Sequence, residues 1–212
     1  MIFHQIPVGP MQNFVYIVGD EHTKEAAVVD AGWDVDKIIE LANKEKLKIN
    51  KIILTHYHYD HVQKVNELFD KTKAIVYFHE DEFNNLKKLL DNKKMNVVKL
   101  KDNSEINIGN IKIKIIHTPG HTQGAICLLI NDKLITGDTL FVGAVGRTDL
   151  QGGNAIKLFE SLQKLKKLND KIEIWPGHDY GETPYSTIGN EKKSNPYFMC
   201  KTKEEFLNLL GL

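Results

Sequence analysis

The sequence predicts that two β-sheets pack face to face with helices on their outer faces, in a four-layer arrangement. Short runs rich in Val, Ile and Tyr alternate with longer runs of helical periodicity, and both kinds occur in each half of the chain. Periodicity by itself does not distinguish an α/β from an α+β fold. The 212 residues suit one substantial domain, so we expect a single domain over residues 1–212.

The strand-like runs are short and bounded by Gly, Asn or Asp. They cover residues 13–19, 26–32, 51–55, 74–78, 111–118, 125–130, 133–137 and 172–175. The run that begins IKIKI at residue 111 alternates apolar and polar residues, so one of its faces is expected to be exposed. The short segment NDK at 131–133 joins two runs closely enough for a β-hairpin.

The helix-like runs are longer and amphipathic. They cover about 34–46, 62–69, 81–90, 154–168 and 203–210. In the run 154–168, apolar residues recur at spacings of three and four while lysines face elsewhere, which is typical of a helix on the protein surface. Its lysines are interpreted as a solvated face rather than as a binding patch.

The charge balance and the absence of long apolar runs argue against two classes of partner. Lys and Arg number 28 together, as do Asp and Glu, so no basic field favours nucleic acid or an anionic membrane. No apolar run reaches the roughly 18 residues that a membrane-spanning helix needs, and no signal peptide is evident. We therefore expect neither partner. The two cysteines, Cys127 and Cys200, lie far apart and form no Cys-x-x-Cys pair, so we expect a cytoplasmic protein without a disulfide framework. The oligomeric state is not readable from the sequence.

Histidine and aspartate are concentrated where strand-like runs end. The segment THYHYDH at 55–61 places three histidines and one aspartate within six positions, and three later runs are each followed by one such residue. Because strand ends tend to share one edge of a sheet, we expect these side chains to converge. The seven candidates are His56, His58, Asp60, His61, His121, Asp138 and His178.

The residue types of this cluster indicate a metal site with catalytic character. Burying so many titratable groups without a metal would be costly. Structural zinc sites usually recruit cysteines and close all four positions, whereas these candidates are imidazoles and carboxylates. Seven candidates suit two metals that share a ligand and leave a position open for water. A non-catalytic metal-binding module is the alternative, which the lack of cysteine ligands disfavours.

The motifs resemble those of the metallo-β-lactamase-fold hydrolases. THYHYDH is similar to the His-x-His-x-Asp-His motif of that superfamily, and HTPGHTQG (117–124), GDTLF (137–141) and PGH (176–178) are similar to its later motifs, in the same order. The resemblance extends over nearly the whole chain. It implies an αββα sandwich of two mixed sheets with helices outside.

The resemblance also implies a ligand set for two Zn²⁺ ions. One ion would be bound by His56, His58 and His121, the second by Asp60, His61 and His178, and Asp138 would bridge both. A metal-bound hydroxide would then attack a carbonyl, with Asp60 and Asp138 as the catalytic residues. Thr55, Asp30 and His117 are candidates for side chains that orient the ligands.

Within the superfamily, GDTLFVGAVGRTD (137–149) most resembles the glyoxalase II-like branch, which hydrolyses glutathione thioesters of the hydroxyacylglutathione type. Two departures concern glutathione. Arg147 can stand for a basic residue of that branch, but Asp149 falls where a tyrosine is expected, and no separate C-terminal helical domain follows. We therefore expect a small-molecule thioester or related carbonyl ester as substrate, contacted by Arg147, Tyr180 and Tyr185.

Two alternative activities use the same fold. The stretch 176–197, together with GRTD, resembles the persulfide dioxygenases, which would hold one Fe²⁺ with His56, His121 and Asp138. A lactonase or β-lactamase activity would use the same metal site on a different substrate. Nucleases of the superfamily usually carry further nucleic-acid-binding domains, for which this length leaves no room.

Overall fold

Two six-stranded β-sheets face each other, with helices on both outer faces. The structure, a computed structural model, describes residues 1–91 and 95–212. This αββα sandwich confirms the predicted four-layer fold. None of the helices in the described ranges is long and apolar enough to cross a membrane.

The first sheet contains its strands in chain order. They are β1 (Ile2–Val8), β2 (Asn13–Gly19), β3 (Glu25–Val29), β4 (Lys48–Ile53), β5 (Ile75–His79) and β6 (Val97–Leu100). β2 is antiparallel to its neighbours β1 and β3, and β3 to β6 run parallel. Parallel neighbours require crossover connections, which the helices between these strands provide.

The second sheet contains the next six strands of the chain, in an order across the sheet that follows their order in the chain. Its strands are β7 (Glu105–Ile108), β8 (Ile111–His117), β9 (Ile126–Ile130), β10 (Lys133–Gly137), β11 (Glu173–Pro176) and β12 (Ser186–Thr187). The pairing of β10 with β11 is parallel and the others are antiparallel. The predicted hairpin joins β9 to β10, and Asn131 in its turn has a left-handed φ of 53°.

The helices cover the outer faces of the two sheets. They are α1 (Val35–Lys44), α2 (Tyr59–Val62), α3 (Val65–Thr72), α4 (Phe83–Asp91), α5 (Ala155–Leu165), α6 (Ile188–Ser194), α7 (Pro196–Met199) and α8 (Lys203–Leu210), with a 3-10 turn at Glu80–Glu82. The Asn154 side chain accepts from Lys157 N–H and caps α5, while Thr202 and Glu205 form a capping box at α8.

Apolar side chains fill three layers. One cluster lies between the sheets and includes Phe14, Ile53, Ile113 and Leu128. The other two lie between each sheet and its helices. Lys112 and Lys114 of β8 are exposed while Ile113 and Ile115 are buried, which confirms the predicted one-sided exposure of this strand.

Among the strands in the described ranges, four were not predicted from the sequence pattern. β1 contains Pro7, which is tolerated because this strand lies at the edge of its sheet. β12 has two residues, and β6 and β7 have four each, too few for a clear alternation. The helix expected at 62–69 is wrong at its start, because the chain forms α2 within the THYHYDH motif and then α3.

The two sheets are joined by backbone hydrogen bonds at one end of the sandwich. Phe14 N donates to Gly177 O at 2.8 Å, and Ile126 N donates to Thr55 O at 3.0 Å. Both bonds link a strand of one sheet to the segment that leaves the other. They link the segment after β11 to β2 and the segment after β4 to β9, and predicted ligands lie in both of these segments.

Candidate metal centre

Four segments bring the seven predicted ligands together. His56 and His58 lie in the extended segment after β4, and Asp60 and His61 lie in α2, directly beyond it. The other three follow β8, β10 and β11 respectively and are His121, Asp138 and His178. Each segment leaves its strand at the same end of the sandwich, as expected for strand ends that share an edge.

The first triad consists of His56, His58 and His121. Their ligand atoms lie within 4.8 Å of one another. The ring centroids are 4.8 Å apart for His56 and His58, 4.9 Å for His56 and His121, and 4.5 Å for His58 and His121. The alternate spacing of His56 and His58 in an extended segment directs both rings to the same side.

The second triad consists of Asp60, His61 and His178. Asp60 Oδ2 lies 3.3 Å from His61 Nε2 and 3.4 Å from His178 Nε2. The two Nε2 atoms are 3.1 Å apart and face each other. Two unprotonated imidazole nitrogens repel at this distance, so the arrangement calls for a cation or a proton between them.

Asp138 lies between the two triads. Its Oδ2 is 4.0 Å from His56 Nε2 and 3.6 Å from His121 Nε2 on one side, and 3.2 Å from His178 Nε2 on the other. Gly146 and Gly177 pack against it closely, because a Cβ on Gly146 would lie 1.8 Å from Asp138 O and one on Gly177 would lie 2.2 Å from Oδ1. Gly177 leaves room for this carboxylate, and Gly146 leaves room for the backbone carbonyl of Asp138.

The Nδ1 atoms of four histidines are held by the protein, which directs each Nε2 inward. The pairs are His56 Nδ1 with Thr55 Oγ1 at 3.0 Å, His61 Nδ1 with Asp30 Oδ2 at 3.1 Å, His121 Nδ1 with Arg147 O at 2.7 Å and His178 Nδ1 with Met11 O at 2.9 Å. A ring that donates from Nδ1 has its lone pair on Nε2, the state in which imidazole binds a metal.

Asp30 connects the two triads through hydrogen bonds. It accepts hydrogen bonds from Thr55 N at 2.8 Å and Thr55 Oγ1 at 2.6 Å, and it contacts His61. Thr55 in turn contacts His56, so one carboxylate orients a histidine of each triad. Asp30 has a left-handed φ of 56°, an uncommon conformation for a residue with a side chain that is found at functional sites.

Asn13, at the start of β2, is a site residue that the sequence did not reveal. Its Nδ2 donates to Asp60 Oδ2 at 2.8 Å, and its Oδ1 accepts from Trp33 Nε1 at 3.1 Å. Asn13 also forms an isolated β-bridge with His178. It therefore positions Asp60 from a strand 47 residues away in sequence, and no local motif marks it.

Glu82 is a second residue that sequence reasoning missed. This buried carboxylate accepts from the Thr122 hydroxyl, and from Gly124 N at 2.9 Å. Burial raises the pKa of Glu82, and these hydrogen bonds partly offset that effect. Since Thr122 follows His121 directly, Glu82 fixes the loop that carries a ligand of the first triad.

The charges of the centre favour a cation. Burial lowers the pKa of His56 and His121, and it lowers that of His58 to about 4. Burial by itself would raise the pKa of Asp138, but the charge of His61 and hydrogen bonds hold it well below its usual value. Unprotonated imidazoles thus face an ionised carboxylate.

The two histidines of the second triad behave differently. Burial would lower the pKa of His61 and of His178, yet Asp138 raises both through charge and hydrogen bonding. The carboxylates therefore attract positive charge towards the pair of Nε2 atoms that face each other. A metal ion or a proton supplies that charge.

Unpaired buried atoms provide the test of fit to a metal. Within the described ranges, His56 Nε2, His121 Nε2 and Asp138 Oδ1 are buried without a hydrogen-bond partner. Such atoms are costly to bury, and all three are good donors for zinc or iron. The residues present therefore fit a bound metal, while the assignment of each as a ligand stays a prediction.

A cavity of about 480 Å³ lies over the centre. Its lining includes two of the three residues predicted to contact substrate, Arg147 and Tyr180. Tyr185 lies elsewhere, because its ring stacks on Trp175 with centroids 4.6 Å apart. As a substrate contact, each of the three stays a prediction, and the structure gives Tyr185 no support.

His117 does not orient the ligands as expected. Its Nε2 lies 2.9 Å from Gln123 O, and its ring stacks on His79 with centroids 3.8 Å apart. The side chain thus contacts His79, at the end of β5 in the other sheet. Its backbone N–H donates to Asp102 Oδ1 at 2.8 Å. Of the three orienting candidates, Thr55 and Asp30 contact ligands.

Fold and site together define a metallo-hydrolase, and the chain belongs to the metallo-beta-lactamase superfamily, whose family model matches residues 8–178. It is 33% identical over 207 residues to the probable polyketide biosynthesis zinc-dependent hydrolase BaeB of Bacillus velezensis, covering 97% of this chain and 88% of that relative. It is 31% identical over 216 residues to the hydroxyacylglutathione hydrolase GloC of Haemophilus influenzae, covering 93% and 98%.

A solved structure has the same fold over the full chain. The crystal structure of ETHE1 from Myxococcus xanthus superposes with a TM-score of 0.87 at 31% sequence identity, covering 100% of this chain and 90% of that one. The similarity to proteins of different names establishes the superfamily and the metal-dependent hydrolase fold.

Proposed function

We propose that the protein is a dinuclear zinc hydrolase that cleaves small-molecule thioesters or related carbonyl esters. The observation that carries this proposal is the arrangement of two triads on either side of Asp138, beneath a cavity of about 480 Å³. The names of two relatives, a probable zinc-dependent hydrolase and a hydroxyacylglutathione hydrolase, support it.

Each triad would hold one metal ion, and Asp138 would be shared. Imidazole and carboxylate donors suit zinc, and the lack of thiolate ligands favours a catalytic over a structural site. Bound metal would lower the pKa of water at the centre from about 15.7 towards about 7 and polarise a carbonyl oxygen.

Asp60 is placed to orient the attacking water. Its carboxylate lines the cavity and is held by Asn13 Nδ2 at 2.8 Å. Burial would raise the pKa of Asp60, but the hydrogen bond and charge of His61 keep it below its usual value. Asp60 is therefore ionised at neutral pH, and it can accept a hydrogen bond from water.

Thioesters suit this set of residues because their leaving group needs little help. A thiol has a pKa of about 8.5, so a thiolate leaves without a strong general acid. Among the described residues that line the cavity, Tyr59, Arg147 and Tyr180 carry hydrogen-bond donors and are not predicted ligands. We assign Tyr180 to substrate contact rather than to proton donation, and a contact of Arg147 with substrate stays a prediction.

Metal analysis combined with a thioester assay tests the proposal. Purified protein is expected to contain two zinc ions per chain and to hydrolyse thioesters. Removing metal with a chelator should abolish hydrolysis, and adding zinc should restore it. Protein with one iron per chain that consumes oxygen in the presence of a persulfide would contradict the hydrolase.

The second candidate is a mononuclear-iron persulfide dioxygenase. One observation favours it: His56, His121 and Asp138, which would form a facial triad of two histidines and a carboxylate, each have a buried side-chain atom without a hydrogen-bond partner. The His178→Ala variant separates the candidates. An oxygenase that uses the facial triad keeps its iron and its oxygen consumption, whereas a dinuclear hydrolase loses a ligand and its activity.

A further inference from the structure

We propose that the acyl group of the substrate is apolar and lies against a hydrocarbon-lined wall beside the metal centre. This inference rests on the proposed function, because it names the acyl class that the thioester hydrolase would cleave. In the reaction, the oxygen of water bonds to the acyl carbon and the carbon–sulfur bond breaks. The products are a carboxylate and a thiol, with one proton passing to the leaving thiolate and one to solvent.

Large apolar side chains surround the cavity mouth although they are exposed to solvent. The exposed fractions are 48% for Met11, 72% for Tyr59, 40% for Leu150 and 52% for Tyr180. A single exposed apolar residue needs no explanation, but four around one concave site are typical of a binding surface. We call these four residues the apolar rim.

The apolar surface continues from the rim down to the predicted ligands. The Tyr180 ring stacks on His178 with centroids 4.5 Å apart and an interplanar angle of 12°, and it meets the Phe141 ring edge-on at 5.5 Å. Phe141 is buried and Val145 half-buried, and both line the cavity. A hydrocarbon chain attached to the reacting carbon would therefore contact apolar surface from its first methylene outward.

The charges of the cavity do not suit a strongly charged acyl group or thiol. Among the described residues that line it, Arg147 is the one Lys or Arg side chain. Arg147 is already bound by Asp149, with Nε to Oδ1 and Nη2 to Oδ2 both at 2.7 Å. A carboxylate of the substrate would have to displace Asp149 from an exposed ion pair, where little free energy is available. Apolar contact is the recognition that this lining offers.

The proposal predicts that activity rises with acyl chain length. Burying one methylene corresponds to a factor of about four, so partial burial against the rim should raise kcat/KM about two- to fourfold for each added CH₂. We expect acetyl, butyryl and hexanoyl thioesters of the uncharged thiol N-acetylcysteamine to follow this order. Lactoyl-glutathione, with a polar acyl group on a charged thiol, should be a poorer substrate than hexanoyl-N-acetylcysteamine.

Two rim variants and a matched control test the role of the wall. Leu150→Ser and Met11→Ser should each reduce the gain in kcat/KM per added methylene relative to the wild type. Met199→Ser is the control, because Met199 is 50% exposed on α7 and lies outside the cavity lining. It should leave the dependence on chain length unchanged.

The outcomes separate this proposal from the proposed function. A chain-length series that rises in the wild type and flattens in the rim variants supports the proposal. Hydrolysis that is independent of chain length, or that favours lactoyl-glutathione, would overturn the proposal of an apolar acyl group. It would not contradict the proposed thioester hydrolysis. Zinc-loaded protein that hydrolyses none of these thioesters would overturn both.

Discussion

The two triads of the metal centre are supported in different ways. In the first, His56 Nε2 and His121 Nε2 are buried without partners in the described chain. In the second, Asp60 accepts from Asn13 at 2.8 Å, and the Nε2 atoms of His61 and His178 face each other at 3.1 Å beside Asp138.

This difference shows which half of the centre depends more on a metal. Leaving buried polar atoms unpaired is costly, so a metal in the first triad relieves a cost that the protein otherwise bears. The second triad already has hydrogen-bond partners, and a metal there replaces some of them. We therefore expect the first triad to bind its metal more tightly than the second.

Removing Asp138 should have the largest effect, because this carboxylate contacts both triads. We expect Asp138→Ala to lower kcat/KM for a thioester at least about a thousandfold, since several kcal/mol of transition-state stabilisation depend on correctly bound metal. Asp132→Ala, in the exposed turn before β10, is the control and should retain activity. Activity that survives the loss of Asp138 would contradict a metal mechanism.

Single-ligand variants compare the two halves directly. After dialysis against a mild chelator, His178→Ala is expected to retain one metal ion per chain, held by the first triad. His121→Ala is expected to retain almost none, because the remaining second triad binds more weakly. Metal content by atomic emission, with circular dichroism as the check on folding, decides the comparison. The reverse order of retention would show that the second triad is the tighter site.

Asn13→Ala should weaken the second triad selectively. Loss of the Nδ2 donor removes the amide hydrogen bond that positions the Asp60 carboxylate, and the expected cost is about 10- to 100-fold in affinity for the second metal. The first metal should be unaffected in a competitive zinc titration. Asn208→Ala, on the exposed side of α8, provides the matched control. Equal weakening of both metals would mean that Asn13 acts on the fold rather than on Asp60.

Glu82→Ala should weaken the first triad through the loop that carries His121. Two buried donors, the Thr122 hydroxyl and Gly124 N–H, lose their acceptor, which is expected to lower the free energy of unfolding by about 2 to 4 kcal/mol. We expect about tenfold weaker binding of the first metal. Glu82→Gln keeps one acceptor oxygen and should retain most of both properties. If the two variants behave alike, the carboxyl oxygen is not the element that positions the loop.

Asp20→Asn should leave both metals unchanged and alter stability alone. Asp20 accepts from Asn110 N at 2.6 Å and from His22 N at 2.9 Å, and these bonds lower its pKa to about 2. Its contribution to stability is therefore present above the unfolded pKa, 3.8, and is lost as the pH falls through about 2. Thermal unfolding of the variant and the wild type should differ at pH 7 and converge near pH 2. A difference that persists at pH 2 would assign the effect to packing.

Local pattern was sufficient for most of the fold. The run 111–118 alternates and forms β8, and the amphipathic run 154–168 contains α5, because burial of one face produces these periods. Local pattern failed for the first residues of the helix expected at 62–69. There the chain turns inside THYHYDH and places Asp60 and His61 on the short helix α2.

The sequence by itself determined the superfamily and the seven residues that meet at one end of the sandwich, because spacing after strand-like runs predicts which residues reach a common edge. The tertiary structure alone decided how these residues are supported. Asn13 holds Asp60 and Glu82 holds the His121 loop across 47 and 40 residues of chain, and Met11 and Leu150 meet at one cavity. Such contacts depend on how the two sheets pack, and sequence periodicity reports only on neighbours along the chain.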